Sequence, residues 1–232
     1  MKIFFDSKIS KLSYSSNPNI LYKGFLPVKN NLPADMYISS KSNSLNMALN
    51  YLENLEFLPE DVTKLNKLGI PLIFKNGKEA VDFAKNNNIP VIYDKVDAED
   101  IHAQWINNRH VIVINDRYKN TKNPAEIYAI SAALIHELAH AKDNDSISSV
   151  QEETECLAMN ALAFNVFKRN NPALFDKNNS PIIDDGVGLY TNLFLGSDKH
   201  ALIERIRKKY GNLSLESPNH VASELAKEIK QV

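Results

Sequence analysis

The sequence predicts an α+β fold with a small mixed sheet in its first half and a helical second half. Three observations carry that prediction. Short apolar runs bounded by turn residues recur between residues 70 and 114. Two long helical patterns with well-formed starts follow between 123 and 168, and no repeat or low-complexity tract interrupts the chain.

The elements can be justified in order. Residues 1–41 are irregular, with Pro18, Pro27 and Pro33 set among Asn and Ser, and read as an N-terminal extension packed on the core. Residues 42–232 read as one domain, its sheet-containing part at 42–122 and its helices at 123–232. From Ser44 to Phe57, Leu45, Ala48, Leu49, Leu52 and Leu55 keep helical spacing. Pro59 to Leu68 predicts a short helix, with Gly69 placed to end it in the left-handed conformation. Ile70–Phe74 predicts a strand, Gly77–Lys85 a helix and Pro90–Tyr93 a second strand. Ala103–Ile106 and His110–Ile114 flank Asn107-Asn108-Arg109 and predict a hairpin, in which Val111–Ile114 is the most strand-like run of the chain.

Asn123-Pro124-Ala125-Glu126 supplies an N-cap, a proline at the first helical position and a capping-box glutamate for a helix to about Lys142. Ser149-Val150-Gln151-Glu152 repeats the capping logic for a helix to about Lys168. A loop through Ser180-Pro181 then leads to helices near Ser197–Tyr210 and Pro218–Ile229.

Bulk composition narrows the function classes. A net charge of −1 gives no overall positive field to draw the chain to nucleic acid or anionic lipid. One cysteine in 232 residues excludes an internal disulfide framework and any multi-cysteine zinc or iron–sulfur site. No stretch approaches the ~20 apolar residues of a membrane span, and Met1-Lys2-Ile3-Phe4-Phe5-Asp6 stops being apolar too soon for a secretory signal. A cytoplasmic location with no nucleic-acid or membrane partner is therefore expected.

The chemistry lies in Leu134-Ile135-His136-Glu137-Leu138-Ala139-His140-Ala141-Lys142-Asp143. Two histidines four apart on a helix point the same way, one turn above the other, so their imidazoles can share one metal ion. Glu137, about 100° further round, sits beside that ion, where it can take a proton from a metal-activated water. Shuffled composition would produce H-E-x-x-H only about once in a hundred sequences of this length. A zinc that keeps a position open for water takes three protein ligands. The following helix offers Glu152, Glu153 and Glu155. Glu152 has a local task in its capping box but also stays open as a ligand. Glu153 shares a face with Leu157, Ala161 and Phe164, the apolar stripe expected against the first helix, and is favoured as third ligand. Glu155, on a face with Met159 and Leu162, stays open.

His136-Glu137-x-x-His140 followed by Glu153-x-x-Cys156 resembles the gluzincin branch of the zincin metallopeptidases, over residues 103–168 or so. Twelve residues separate His140 from Glu153, a compact spacing similar to small intracellular H-E-x-x-H proteins. The resemblance implies a zincin-like fold, with an edge strand beside the H-E-x-x-H helix against which an extended peptide pairs; Val111, Ile112 and Val113 stand where that strand is expected. It implies a zinc endopeptidase acting on a peptide or protein, with Zn²⁺ held by His136, His140 and Glu153 and with Glu137 as general base. Asp143, one turn beyond His140, is a candidate to orient a ligand imidazole. His102 and His110 read as structural, Trp105 as a packing anchor and Cys156 as a small buried residue. Two other readings are a non-catalytic binding protein on the same fold and a regulatory protease specific for one protein partner.

Overall fold

The computed structural model describes residues 43–96, 98, 100–143, 148–190, 199–209 and 213–214. Their order is α1 (Asn43–Glu53), α2 (Pro59–Lys67), α3 (Gly77–Asn86), β1 (Val91–Asp94), β2 (Ala103–Ile106) and β3 (Val111–Asn115). Then follow α4 (Pro124–Asp143), α5 (Val150–Asn170), α6 (Pro172–Phe175), α7 (Pro181–Tyr190) and α8 (Lys199–Lys209). The described residues are thus mixed α+β and helix-rich, with one three-stranded mixed sheet. The extension at 1–41 and the helix expected at Pro218–Ile229 lie outside the described residues.

The strand order is β1-β3-β2, with β1 parallel and β2 antiparallel to β3. All five residues of β3 are buried, as a continuous apolar run requires when both faces are covered. Its position corrects an expectation. Val111, Ile112 and Val113 lie on the central strand between β1 and β2; Val111 pairs with Ile106, and Ile112 and Val113 have partners on both sides. They cannot serve as an open edge. The hairpin itself forms as expected, closed by a short 3₁₀ turn at Asn107–Arg109 and by His110 at φ 51°.

Other departures have local causes. Ile70–Phe74 is irregular rather than a strand: Ile70 and Phe74 bury their side chains, but no strand among the described residues pairs with their backbone. The first helix stops at Glu53, and Asn54 and Leu55 turn the chain back through hydrogen bonds to the Asn50 and Leu52 carbonyls. A helix, α7, occupies what the sequence suggested as loop beyond Ser180-Pro181, started by its proline at the first position. Gly69 does adopt the left-handed conformation, φ 71°, and the Ile70 amide reaches back to Leu65 at 3.1 Å to close the end of α2.

The capped helices α4 and α5 pack along each other and form the centre of the core. Asn123 Oδ1 accepts from the Ala125 amide at 3.1 Å, while Glu126 accepts from the Thr121 hydroxyl instead of closing a capping box. α4 is enclosed by α1, α3, α5, α7, β2 and β3, which explains a sequence apolar nearly all round. Sixteen of the 21 residues of α5 are buried, Gln151, Glu152, Glu153 and Glu155 among them. Among the described residues no helix is long and apolar enough to cross a membrane.

Candidate metal centre

α4 sets His136 and His140 one turn apart, and their Nε2 atoms stand 3.0 Å from each other. α5 crosses the same spot and adds Glu153, whose Oε1 lies 3.6 Å from His140 Nε2 and whose Oε2 lies 3.9 Å from His136 Nε2. Four donors around a Zn-sized ion at ~2.0–2.1 Å are separated from one another by about 3.3 Å in a tetrahedron. The Nε2 pair, at 3.0 Å, is slightly closer than that spacing, and the two Glu153 oxygens, each facing a different imidazole, stand further off, at 3.6 and 3.9 Å. His136 and Glu153 are buried, and Glu153 Oε2 has no hydrogen-bond partner. A buried carboxylate oxygen without a donor is costly unless a cation compensates it. His136, Glu137 and His140 also offer ligand atoms within 4.8 Å of one another, a group that could hold a metal ion.

Glu137 is held differently. Its Oε2 accepts a hydrogen bond from the Trp105 backbone N–H at 2.6 Å, and its Oε1 lies 3.8 Å from His136 Nε2. The catalytic candidate is therefore tied to β2, beside the histidines and not between them. Burial pushes its pKa up to about 7, against the charge of His140 and the Trp105 hydrogen bond, which favour the carboxylate. Burial likewise raises Glu153, with Glu152 adding to the effect and His140 opposing it. Burial and then the neighbouring His140 charge drive His136 well below its usual range. Burial alone would lower His140 too, but Cys156, Glu152 and Glu153 outweigh it and hold that imidazole well above the ordinary value.

The other acids on α5 separate cleanly. Glu155 accepts from Gln151 Nε2 at 3.0 Å, one turn back on the same helix. Glu152 keeps half of its expected capping role: its amide donates to Ser149 Oγ at 3.0 Å. Its carboxylate departs from it, with Oε1 2.6 Å from His140 Nδ1. The orienting carboxylate on His140 therefore comes from the start of α5 and not from Asp143, which ends α4. Glu152 is brought to that nitrogen by the packing of α5 against α4.

The sequence offered Glu152 as an alternative ligand and not as the carboxylate that meets His140 Nδ1. The hydrogen bond from the Trp105 amide to Glu137 left no signature there, because a backbone donor carries none. Cys156 is buried as expected, and burial pushes its thiol up to about 12. His102 is held by Asp185 through Nε2 at 3.1 Å and by Tyr118 through Nδ1 at 2.9 Å, and His110 Nε2 meets the Asn87 carbonyl at 2.9 Å. Both are structural in that sense, and Trp105 packs edge-on against His110.

Comparison with protein-family models, with curated proteins and with solved structures found no match to this chain.

Proposed function

We propose that this protein is a zinc-dependent endopeptidase. The observation that carries the reading is the approach of His136 Nε2, His140 Nε2 and the Glu153 carboxylate, whose Oε2 has no hydrogen-bond partner, with Glu137 alongside. Two imidazoles and one carboxylate are a donor set that suits Zn²⁺ and leaves a coordination position open. When bound there, zinc supplies Lewis acidity, which makes a water easier to deprotonate and a carbonyl easier to attack.

The chain's own groups do the rest. Glu137 takes the proton from the attacking water and returns it to the departing amine nitrogen. Its burial places its protonation near neutral pH, where a group that must both accept and donate works best. Glu152 fixes the tautomer and rotation of His140 by accepting from Nδ1, so that Nε2 keeps its lone pair for the metal.

A peptide substrate is supported by β2. It is an edge strand with no strand partner on its far side among the described residues. His102 O accepts from the Asn115 amide, so in the antiparallel register the backbone groups of Ala103 and Trp105 point away from β3. Trp105 N–H does so, toward Glu137. An extended peptide pairing along this edge would present its carbonyls to the histidines. This assigns to β2 the role that the sequence suggested for β3.

Incubation of a mixed-sequence peptide library with zinc-loaded protein, read by mass spectrometry for new termini, tests the proposal. The parent cleaves, and Glu137→Gln is slower by about 10²–10⁴-fold. Equal cleavage by both, or none by the zinc-loaded parent, contradicts it.

A further inference from the structure

The histidine cluster has a second side. Glu152 and Cys156 are one helical turn apart on α5, and both are directed to His140. His140, Glu152 and Cys156 offer ligand atoms that all lie within 4.8 Å of one another. Glu152 spends only Oε1 on His140 Nδ1; its Oε2 is buried and has no hydrogen-bond partner, in a residue only 6% exposed. An imidazole nitrogen, a thiol sulfur and a spare carboxylate oxygen make a donor set softer than the first one, because only this side contains sulfur.

We infer that His140 Nδ1, Glu152 and Cys156 form a second cation subsite, selective for a thiophilic metal ion such as Cd²⁺ and filled after the first site. The two sites share one imidazole, Nε2 facing His136 and Glu153 and Nδ1 facing Glu152. Binding replaces two protons, those of the Cys156 thiol and of His140 Nδ1, which leave to solvent as bonds form from sulfur and nitrogen to the ion. Glu152 then turns from hydrogen-bond acceptor to metal ligand. The consequence is regulatory. Filling the second subsite removes the hydrogen bond that orients His140, and losing such a partner typically weakens metal binding by about 10–100-fold. Excess soft metal therefore loosens the first ion. This consequence rests on the proposed zinc site; the subsite itself rests only on the packing of α4 against α5.

Cadmium titration of the metal-free full-length chain, followed by thiolate-to-metal charge-transfer absorption and by bound-metal analysis after desalting, tests the inference. The parent takes up two equivalents, with the charge-transfer band growing with the second. Cys156→Ala abolishes the band and leaves one equivalent, and Glu152→Gln, which keeps the sulfur and nearly the same shape, weakens the second equivalent at least tenfold. Glu153→Gln loses the first equivalent and keeps the band. A parent that binds one equivalent without a charge-transfer band, lost in Glu153→Gln, overturns the second subsite and leaves the zinc site standing. A band that persists in Cys156→Ala overturns it as well. A band in the parent, with uptake unchanged by Glu153→Gln, upholds the subsite and instead contradicts Glu153 as a ligand of the first site.

Discussion

Glu152 illustrates how one side chain joins two helices. Its amide is capped by Ser149 and its carboxylate meets His140 Nδ1 at 2.6 Å, so the turn that begins α5 also orients a group on α4. Glu152→Gln keeps the size and the helix start but loses the charge. It should lower zinc affinity about 10–100-fold in a competitive chelator titration while leaving the fold intact. Unchanged affinity would remove Glu152 from the metal's support. Glu137 yields a pH prediction for the metal-free protein. Its pKa rises from 4.5 to about 7 on burial, so the folded chain binds more protons than the unfolded one between those values. The stability this group contributes is complete below about pH 4.5 and is lost as pH rises through about 7. Urea unfolding of metal-free parent and Glu137→Gln should therefore diverge over that window, the parent losing on the order of 3 kcal/mol relative to the variant. A constant difference between the two would contradict the burial of Glu137 as an ionisable group. At this scale the motif residues were legible in the sequence because helical spacing alone brings His136 and His140 together. Glu153 was legible only as a preference, since three acids stand within one turn and the choice depends on how α5 is rotated against α4.

At the scale of elements, close approach is what seats α7 on α5. Gly186 on α7 packs against the ring of Phe164 on α5, and a Cβ there would stand 2.4 Å from ring carbons that are themselves fully buried. Gly186→Ala should cost about 1–3 kcal/mol, visible as a lower urea midpoint, because the ring has no solvent side to yield toward. A neutral effect would mean that α7 does not seat on α5 at this distance. Helices with caps were legible to within one or two residues, as at Pro124–Asp143 and Val150–Asn170, because their starts are written in local chemistry. Strand order was not. The run Val111–Ile114 marked a strand, but pairing is decided by distant partners, Val91–Asp94 on one side and Ala103–Ile106 on the other. A strand apolar at every position is better suited to the centre of a sheet than to its edge, where unpaired backbone groups need polar or covered surroundings. The same logic favours β2, with Gln104 exposed, as the edge that faces the site.

For the whole molecule, the cluster of His136, Glu137, His140, Glu152 and Glu153 is a concentration of ionisable groups inside an otherwise apolar core. Such a cluster opposes folding unless something compensates it, and the proposed zinc is that compensation. Zinc at a thousandfold excess over its dissociation constant stabilises the folded chain by about 4 kcal/mol, a rise of roughly 8–16 °C in Tm for a domain of this size. Chelation should reverse the rise in a thermal melt, and an unchanged Tm would argue against a metal bound in the core. The most direct test is the metal content of the purified protein, measured by mass spectrometry on the parent and on Glu153→Ala after equilibration with zinc and removal of the excess. One zinc per parent chain, lost in the variant, is the expected result. A well-folded parent that holds no zinc, or a Glu153→Ala chain that holds it undiminished, would contradict the centre described here.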